Sequence, residues 1–215
     1  MKIYSFLSSG IDSNVYVVEE GNNALLIDMT AGQSTIISQV IDRFRGYLRG
    51  IVLTHTHPDH SGGLRIYREK GLDIPVYVHK IEAPGVREGR IDNLFNMLNE
   101  PVPPVKNVHG VEEGDIISIE SLVFRVIHTP GHTPGSICLY QEDDHVLFTG
   151  DTVFPGGSFG RTDLPGGDPH QLVKSLERLV SLDVDEFYPG HMSPVKGNGW
   201  QWIKQSLKIA RMLIV

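Results

Sequence analysis

The stretch IVLTHTHPDH, residues 51–60, is the most informative part of this sequence. Its apolar start is typical of a short strand that is covered on both faces. Four residues of metal-binding type follow within six positions: His55, His57, Asp59 and His60. The first two histidines can point the same way after the strand, whereas Asp59 and His60 are predicted to begin the next helix and face a second point. Imidazole and carboxylate ligands suit zinc, iron or manganese.

Three later positions repeat this pattern, in which an apolar run ends, a Gly- or Pro-containing turn follows and a ligand-type residue appears. They are His132, Asp151 and His191. Ligands at the ends of several strands can converge on one edge of the sheets, where glycine and proline set tight turns. Unrelated core or surface residues would explain one isolated histidine, but they explain this repeated arrangement poorly.

Apolar periodicity predicts strands and helices along the whole chain. The predicted strands are 3–7, 14–19, 24–28, 48–54, 76–79, 116–119, 123–128, 136–141, 146–149 and 186–188, and the predicted helices are 35–44, 61–70, 93–99, 169–182 and 200–214. Their order favours an α/β fold with two sheets between outer helices, a four-layer α/β/β/α sandwich. Because no low-complexity linker divides the chain, we expect residues 1–215 to form one domain.

Composition narrows the classes of function. The 215 residues include 19 basic and 26 acidic ones, and the net charge of −7 gives no reason to expect nucleic-acid binding. The single cysteine, Cys138, excludes an intrachain disulfide, so a metal site must use other residues such as the ten histidines. Residues 1–9 lack a signal-peptide pattern and no apolar run is long enough to cross a membrane, so we expect a cytoplasmic protein without membrane contact.

These motifs resemble those of the metallo-β-lactamase-fold hydrolases, whose mark is the His-x-His-x-Asp-His run with three later ligands. Within that superfamily, residues 129–136, residues 150–154 and the sequence GRTD at 160–163 resemble the glyoxalase II branch, the hydroxyacylglutathione hydrolases and their relatives. The resemblance covers nearly all of the chain up to His191 and implies a four-layer sandwich of the metallo-β-lactamase type. The motifs are more specific for the fold and the metal site than for the substrate.

The resemblance also implies two divalent metal ions, with zinc favoured and iron or manganese as alternatives. It places His55, His57 and His132 on one ion, Asp59, His60 and His191 on the other, and Asp151 between them. With a bridging hydroxide, each ion has about five ligands, a number suited to a catalytic site. Two ions, two carboxylates and one hydroxide leave the site locally cationic, which favours a small anionic acyl or thiol-derived substrate.

The implied reaction is hydrolysis of a thioester or related acyl compound by a metal-bridging hydroxide. Asp59 is the predicted catalytic residue, since it can orient the hydroxide and take its proton. Arg161 is the predicted substrate-binding residue because family members carry a basic residue in this loop; an ion pair with Asp163 or Asp168 is the alternative. The classical lactamases of this fold lack an aspartate at position 151, which argues against antibiotic hydrolysis.

Several alternatives remain open. A persulfide dioxygenase would share the fold and use one iron held by His55, His132 and Asp151. A nuclease is a second alternative, but it would need a basic surface, which a net charge of −7 does not supply. A non-catalytic metal-binding regulator is a third alternative. Glyoxalase II carries a substantial helical extension after its last ligand, and this extension supplies contacts to glutathione. In this sequence only residues 192–215 follow His191, so the resemblance does not establish glutathione thioesters as the substrates. The apolar face of the last helix indicates a self-association surface, and so a homodimer.

Overall fold

The structure, a computed structural model, describes residues 1–8, 10–31, 34–92, 94, 98 and 101–214. They divide into two compact units, Met1–Val111 with Ser118–Leu122, and Glu112–Ile117 with Val123–Val215. The assignment of residues 1–215 to one domain stays a prediction. Among the described residues, none of the helices combines the length and the apolarity needed to cross a membrane.

The first unit is built on a six-stranded sheet in the order β1-β2-β3-β4-β5-β6. The strands are β1 (Lys2–Phe6), β2 (Val15–Glu20), β3 (Asn23–Ile27), β4 (Leu48–Val52), β5 (Val76–His79) and β6 (Val108–Val111). The pairs from β1 to β3 are antiparallel, and those from β3 to β6 are parallel. The carboxyl ends of β3, β4 and β5 therefore lie at the same edge of this sheet, which is the usual place for a site in a parallel sheet.

Helices cover this sheet within the first unit. They are α1 (Ser34–Phe44), α2 (Pro58–Ser61), α3 (Leu64–Glu69) and α4 (Ala83–Glu88). Ile37, Ile41 and Phe44 of α1 recur at helical spacing and belong to one buried cluster with Leu26 and Ile51 of the sheet. The burial of this apolar stripe, at about 25 cal/mol per Å² of apolar surface, holds the helix against the strands that carry the site.

Apart from the last two residues of β7 and the first residue of β8, the second unit contains a five-stranded sheet in the order β13-β10-β9-β8-β7 and a small β11-β12 hairpin. The strands are β7 (Ile116–Ile119), β8 (Leu122–His128), β9 (Ile137–Gln141), β10 (Val146–Gly150), β11 (Val153–Phe154), β12 (Ser158–Phe159) and β13 (Glu186–Pro189). β10 is antiparallel to β9 and parallel to β13. The ends of β10 and β13 consequently lie side by side.

Two helices, α5 (Pro169–Val180) and α6 (Gly199–Ile214), complete the second unit. Asp168 caps α5 by accepting hydrogen bonds from the backbone N–H groups of His170 and Gln171. Leu176 of α5 and Ile203 of α6 belong to one buried cluster with residues of β9, β10 and β13. Each unit is therefore a sheet with helices packed on it, as an α/β class requires.

The structure departs from the sequence predictions in several places. The predicted helix 61–70 is two helices, α2 and α3, separated by two glycines. β6 and α4 were not predicted, because their runs are short and broken by proline and glycine. The stretch 155–167, read as a loop, contains β12. Of the predicted helix 93–99, residues 93, 95–97 and 99 lie outside the described residues.

Candidate metal centre

His55 and His57 lie just beyond the end of β4, as predicted. His55 is fully buried, and its Nε2 atom is 3.1 Å from Nδ1 of His57. The two rings meet edge to face with centroids 4.7 Å apart. Thr54 Oγ1 lies 3.3 Å from the other ring nitrogen of His55. One nitrogen of each histidine therefore faces a common point.

Asp59 and His60 lie on the single turn of α2, which begins at Pro58 because a proline at the first helical position costs no hydrogen bond. His60 is fully buried, and its Nε2 atom is 3.5 Å from Oδ2 of Asp59. The hydroxyl of Ser13 donates to the backbone carbonyl of Asp59 over 2.6 Å. This bond ties α2 to the loop before β2 and fixes the start of the helix.

Asp28, directly after β3, contacts the candidate ligand His60, and the sequence did not predict this contact. Its side chain is buried and accepts hydrogen bonds from Thr54 N at 2.8 Å, Thr54 Oγ1 at 2.9 Å and His60 Nδ1 at 2.8 Å. Because Asp28 holds Nδ1, the Nε2 atom of His60 is left to face Asp59. The sequence does contain a signal for Asp28, because this carboxylate directly follows an apolar strand, as Asp151 does.

The second unit brings His132, Asp151 and His191 together. Oδ2 of Asp151 lies 3.5 Å from Nε2 of His132 and 3.4 Å from Nε2 of His191. His132 and Asp151 are buried, and His191 is half-buried. A hydrogen bond from Gly190 N to the carbonyl of Gly150, at 2.8 Å, joins the turns that precede His191 and Asp151. One carboxylate oxygen therefore stands between two imidazoles.

The spacing of these side chains fits metal ions. Two ligand atoms about 2.0–2.1 Å from one zinc ion, at a tetrahedral angle, are separated by roughly 3.4 Å. The three nitrogen–oxygen distances of 3.4–3.5 Å match this separation and exceed the usual hydrogen-bond length of about 2.7–3.2 Å. The His and Asp side chains are thus consistent with a dinuclear metal centre, as the donor types also indicate.

Arg161 presents its side chain to Asp163. The guanidinium donates through Nε at 2.9 Å and through Nη2 at 2.7 Å, so the pair is bidentate. The side-chain hydrogen bond from Arg161 lowers the pKa of Asp163 to about 2. The backbone carbonyl of Arg161 instead accepts a hydrogen bond from His132 Nδ1 at 2.7 Å. The ion pair that sequence reasoning held as the alternative for Arg161 is therefore present.

These observations define the class of the protein: an α/β chain whose strand ends carry His and Asp side chains that could hold metal ions. Residues 9–191 match the Metallo-beta-lactamase superfamily, and the chain belongs to that superfamily. The predicted fold of the metallo-β-lactamase type, a mixed α/β fold with sheets, is thereby confirmed. The finer placement in the glyoxalase II branch rests on resemblance alone.

Individual relatives point to more than one chemistry. The chain is 30% identical to the hydroxyacylglutathione hydrolase GloC of Haemophilus influenzae over 183 residues, 78% of each protein. It is 34% identical to TTHA1623 in a di-iron-bound form, with a TM-score of 0.74 over 90% of this chain and 94% of that one. It is 28% identical to the BLEG-1 B3 metallo-beta-lactamase, with a TM-score of 0.79 over the full length of both chains.

Proposed function

We propose that this protein is a dinuclear-metal hydrolase of thioesters or related acyl compounds. In this proposal one ion is held by His55, His57 and His132, the other by Asp59, His60 and His191, and Asp151 bridges them. The observation that carries the proposal is the position of Asp151 Oδ2 between His132 and His191, 3.5 and 3.4 Å from their Nε2 atoms. A carboxylate oxygen placed between ligands of two different ions is suited to a bridging role.

Two bound divalent ions would lower the pKa of a water and polarise an acyl carbonyl, so that no serine or cysteine nucleophile is needed. The protein supplies the fixed geometry for this chemistry. Asp28 orients His60, and the carbonyl of Arg161 orients His132, each through Nδ1, while the Nε2 atoms face the candidate ligands Asp59 and Asp151. Such outer contacts hold a ligand in one tautomer and one rotamer.

Asp59 is our candidate for the catalytic base. Its side chain is half-buried rather than fully enclosed, and its backbone is fixed by Ser13. A carboxylate in that position can orient the attacking water and accept its proton. Because Asp59 would also bind an ion, its replacement is expected to reduce both metal content and turnover.

The thioester class is supported by the similarity to the hydroxyacylglutathione hydrolase GloC. A locally cationic centre within a chain of net charge −7 would also favour an anionic substrate. Arg161 remains our candidate for contact with a substrate carboxylate, which would have to compete with Asp163 for the guanidinium. An unchanged KM of an Arg161→Ala variant for an acidic thioester would remove Arg161 from the substrate site.

A second candidate is a mononuclear-iron persulfide dioxygenase that uses His55, His132 and Asp151. The similarity to TTHA1623 in a di-iron-bound form supports iron as the metal, whereas the two ions of that form agree with the dinuclear centre of the first candidate. Such an enzyme would consume oxygen, whereas a hydrolase would not. The metal and the oxygen balance therefore separate the two candidates.

The test combines metal analysis of the purified protein with assays on lactoylglutathione, an acyl-coenzyme A, a chromogenic β-lactam and glutathione persulfide. We expect two divalent ions per chain, zinc before iron or manganese, and release of thiol from a thioester without oxygen uptake. One iron per chain with persulfide-dependent oxygen uptake would establish the second candidate instead. Turnover of the β-lactam alone would contradict both.

Asp151→Ala is expected to abolish metal binding and turnover together. Asp183→Ala is the matched control, since Asp183 is a carboxylate of the same unit whose side chain is 81% exposed. Full activity of a metal-free Asp151→Ala protein would overturn the proposal.

We further propose a cytoplasmic enzyme that binds neither nucleic acid nor membrane and self-associates as a homodimer through α6. Ile203, Leu207 and Ala210 of this helix are buried, whereas Met212 and Leu213 are 75% exposed and remain available for a partner. Light scattering at micromolar concentration tests the dimer, and a monomer there would contradict it.

A further inference from the structure

We propose that the backbone of Gly160 and Arg161 is a positioning element that sets the tautomer and the orientation of His132. This inference rests on the proposed function, because the purpose of that setting is metal binding. It assigns the GRTD stretch at 160–163 a role that is carried by main-chain atoms, in addition to any role of the Arg161 side chain.

The first step is the hydrogen bond between His132 Nδ1 and the carbonyl oxygen of Arg161, 2.7 Å long. A carbonyl oxygen only accepts hydrogen bonds, so Nδ1 must carry the proton. In a neutral imidazole the other nitrogen, Nε2, then holds the lone pair. This is the nitrogen that lies 3.5 Å from Oδ2 of Asp151, on the side where a metal would bind.

The second step is the close approach of residue 160 to two candidate ligands. A Cβ atom on Gly160 would lie 1.9 Å from the backbone oxygen of Asp151 and 3.1 Å from Cγ of His132. Contacts this short with a backbone oxygen are not tolerated without movement of the chain. Glycine therefore lets the strand end pass between His132 and Asp151 and deliver the next carbonyl to Nδ1.

The third step is the anchoring of the same loop at both ends. Before Gly160, the hydroxyl of Ser206 donates to the carbonyl of Ser158 over 2.9 Å, whereas the exposed Arg161 side chain pairs with Asp163 inside the loop. Asp168 N donates to the carbonyl of Gly131 over 2.8 Å, which returns the chain to the turn before His132. Because both ends of the loop are tied, the Arg161 carbonyl has a defined position, and it does not depend on the guanidinium for its chemistry.

Two measurements test the proposal, and the first needs no metal. Nitrogen-15 NMR of the imidazoles in metal-free wild-type protein, in alkaline buffer where imidazole is neutral, reports which ring nitrogen is protonated. We expect His132 to be protonated at Nδ1 and not at Nε2. Protonation at Nε2, or a rapidly averaging mixture, would overturn the proposal even if the variants below fail to fold.

The second measurement is zinc affinity by competition with a chelator. Gly160→Ala is expected to bind zinc about 10- to 100-fold more weakly and to lose the fixed tautomer signal. Gly46→Ala, where a Cβ meets nothing within 4 Å, and Arg161→Ala, which keeps the carbonyl, are expected to bind within about threefold of wild type. Wild-type affinity in Gly160→Ala, or an equal loss in Arg161→Ala, would contradict a backbone role.

The two measurements also separate this proposal from the proposed function. A wild-type protein that shows the Nδ1-protonated tautomer but binds no zinc, iron or manganese would refute the metallo-hydrolase proposal and leave the positioning geometry intact. A wild-type protein that binds two ions with His132 in the other tautomer would do the reverse.

Discussion

Nδ1 of His60 donates a hydrogen bond to Oδ2 of Asp28 over 2.8 Å, and both side chains are buried. Asp28 also accepts from the backbone N–H and the hydroxyl of Thr54. One carboxylate therefore links the end of β3 to the end of β4 and to α2, the elements that present four of the seven candidate ligands. The position of these ligands depends on a residue that would not itself touch a metal.

Asp28→Asn is expected to weaken binding of one of the two ions about 10- to 100-fold, because an amide cannot accept from three donors as a carboxylate does. Asparagine suits the backbone there, since φ of Asp28 is 61° and Asn tolerates this left-handed region. Metal stoichiometry after dialysis against a chelator measures the effect.

The control for this substitution is Asp42→Asn, which replaces an exposed carboxylate paired with Lys70. It should retain the metal content of the wild type. Two tightly held ions in Asp28→Asn would show that His60 does not need Asp28 to bind.

Asp28 and the four ligands near it differ in how far the sequence could predict them. His55, His57, Asp59 and His60 were accessible because they follow one buried strand within six residues, and local order reflects local structure. The partners of Asp28 lie 26 and 32 positions away, and no periodicity records such a contact.

The elements that were missed have the same explanation. β6 has four residues and a glycine, and it is a strand because it pairs in parallel with β5. Its apolar content alone is too small to predict it, so tertiary pairing overrides the weak local signal. α4 contains Pro84 and Gly85, which are typical of turns, yet Val86 and Ala83 are buried and hold the helix in place.

Cys138 is expected to be unreactive in the native protein. Burial raises the pKa of its thiol to about 11, so at pH near 8 its thiolate fraction is roughly 100-fold lower than that of an exposed cysteine. A chromogenic disulfide reagent should therefore label the folded protein slowly and the protein in denaturant fully. Rapid stoichiometric labelling without denaturant would show that the core around β9 opens readily.

Arg161→Ala is expected to raise the pKa of Asp163 from about 2 towards its ordinary value of 3.8, since the hydrogen bonds that stabilise the carboxylate are lost. A depressed pKa contributes stability above pH 4, and this contribution is lost as the pH falls towards 2. Carboxyl NMR titration measures the shift, with Asp163→Asn to assign the signal. An unchanged pKa of Asp163 in Arg161→Ala would mean that the pair does not persist in solution.

Gly131→Ala is expected to destabilise the fold by about 2–4 kcal/mol, because it adds overpacking to backbone strain. The φ angle of Gly131 is +135°, and a Cβ atom there would lie 2.4 Å from the backbone nitrogen of Leu172, which is buried in α5. Gly21→Ala is the control: its φ is +56° but a Cβ meets nothing within 4 Å, so only the strain of about 1–2 kcal/mol applies. Chemical unfolding of both variants, followed by circular dichroism, gives the two free energies of unfolding.

Movement of the turn could relieve the clash in Gly131→Ala, but it would also displace the candidate ligand His132. This is because Gly131 directly precedes His132, and the carbonyl of Gly131 accepts a hydrogen bond from Asp168 N. A Gly131→Ala protein as stable as Gly21→Ala should therefore still lose zinc affinity, and retention of both properties would contradict the close packing of this turn on α5.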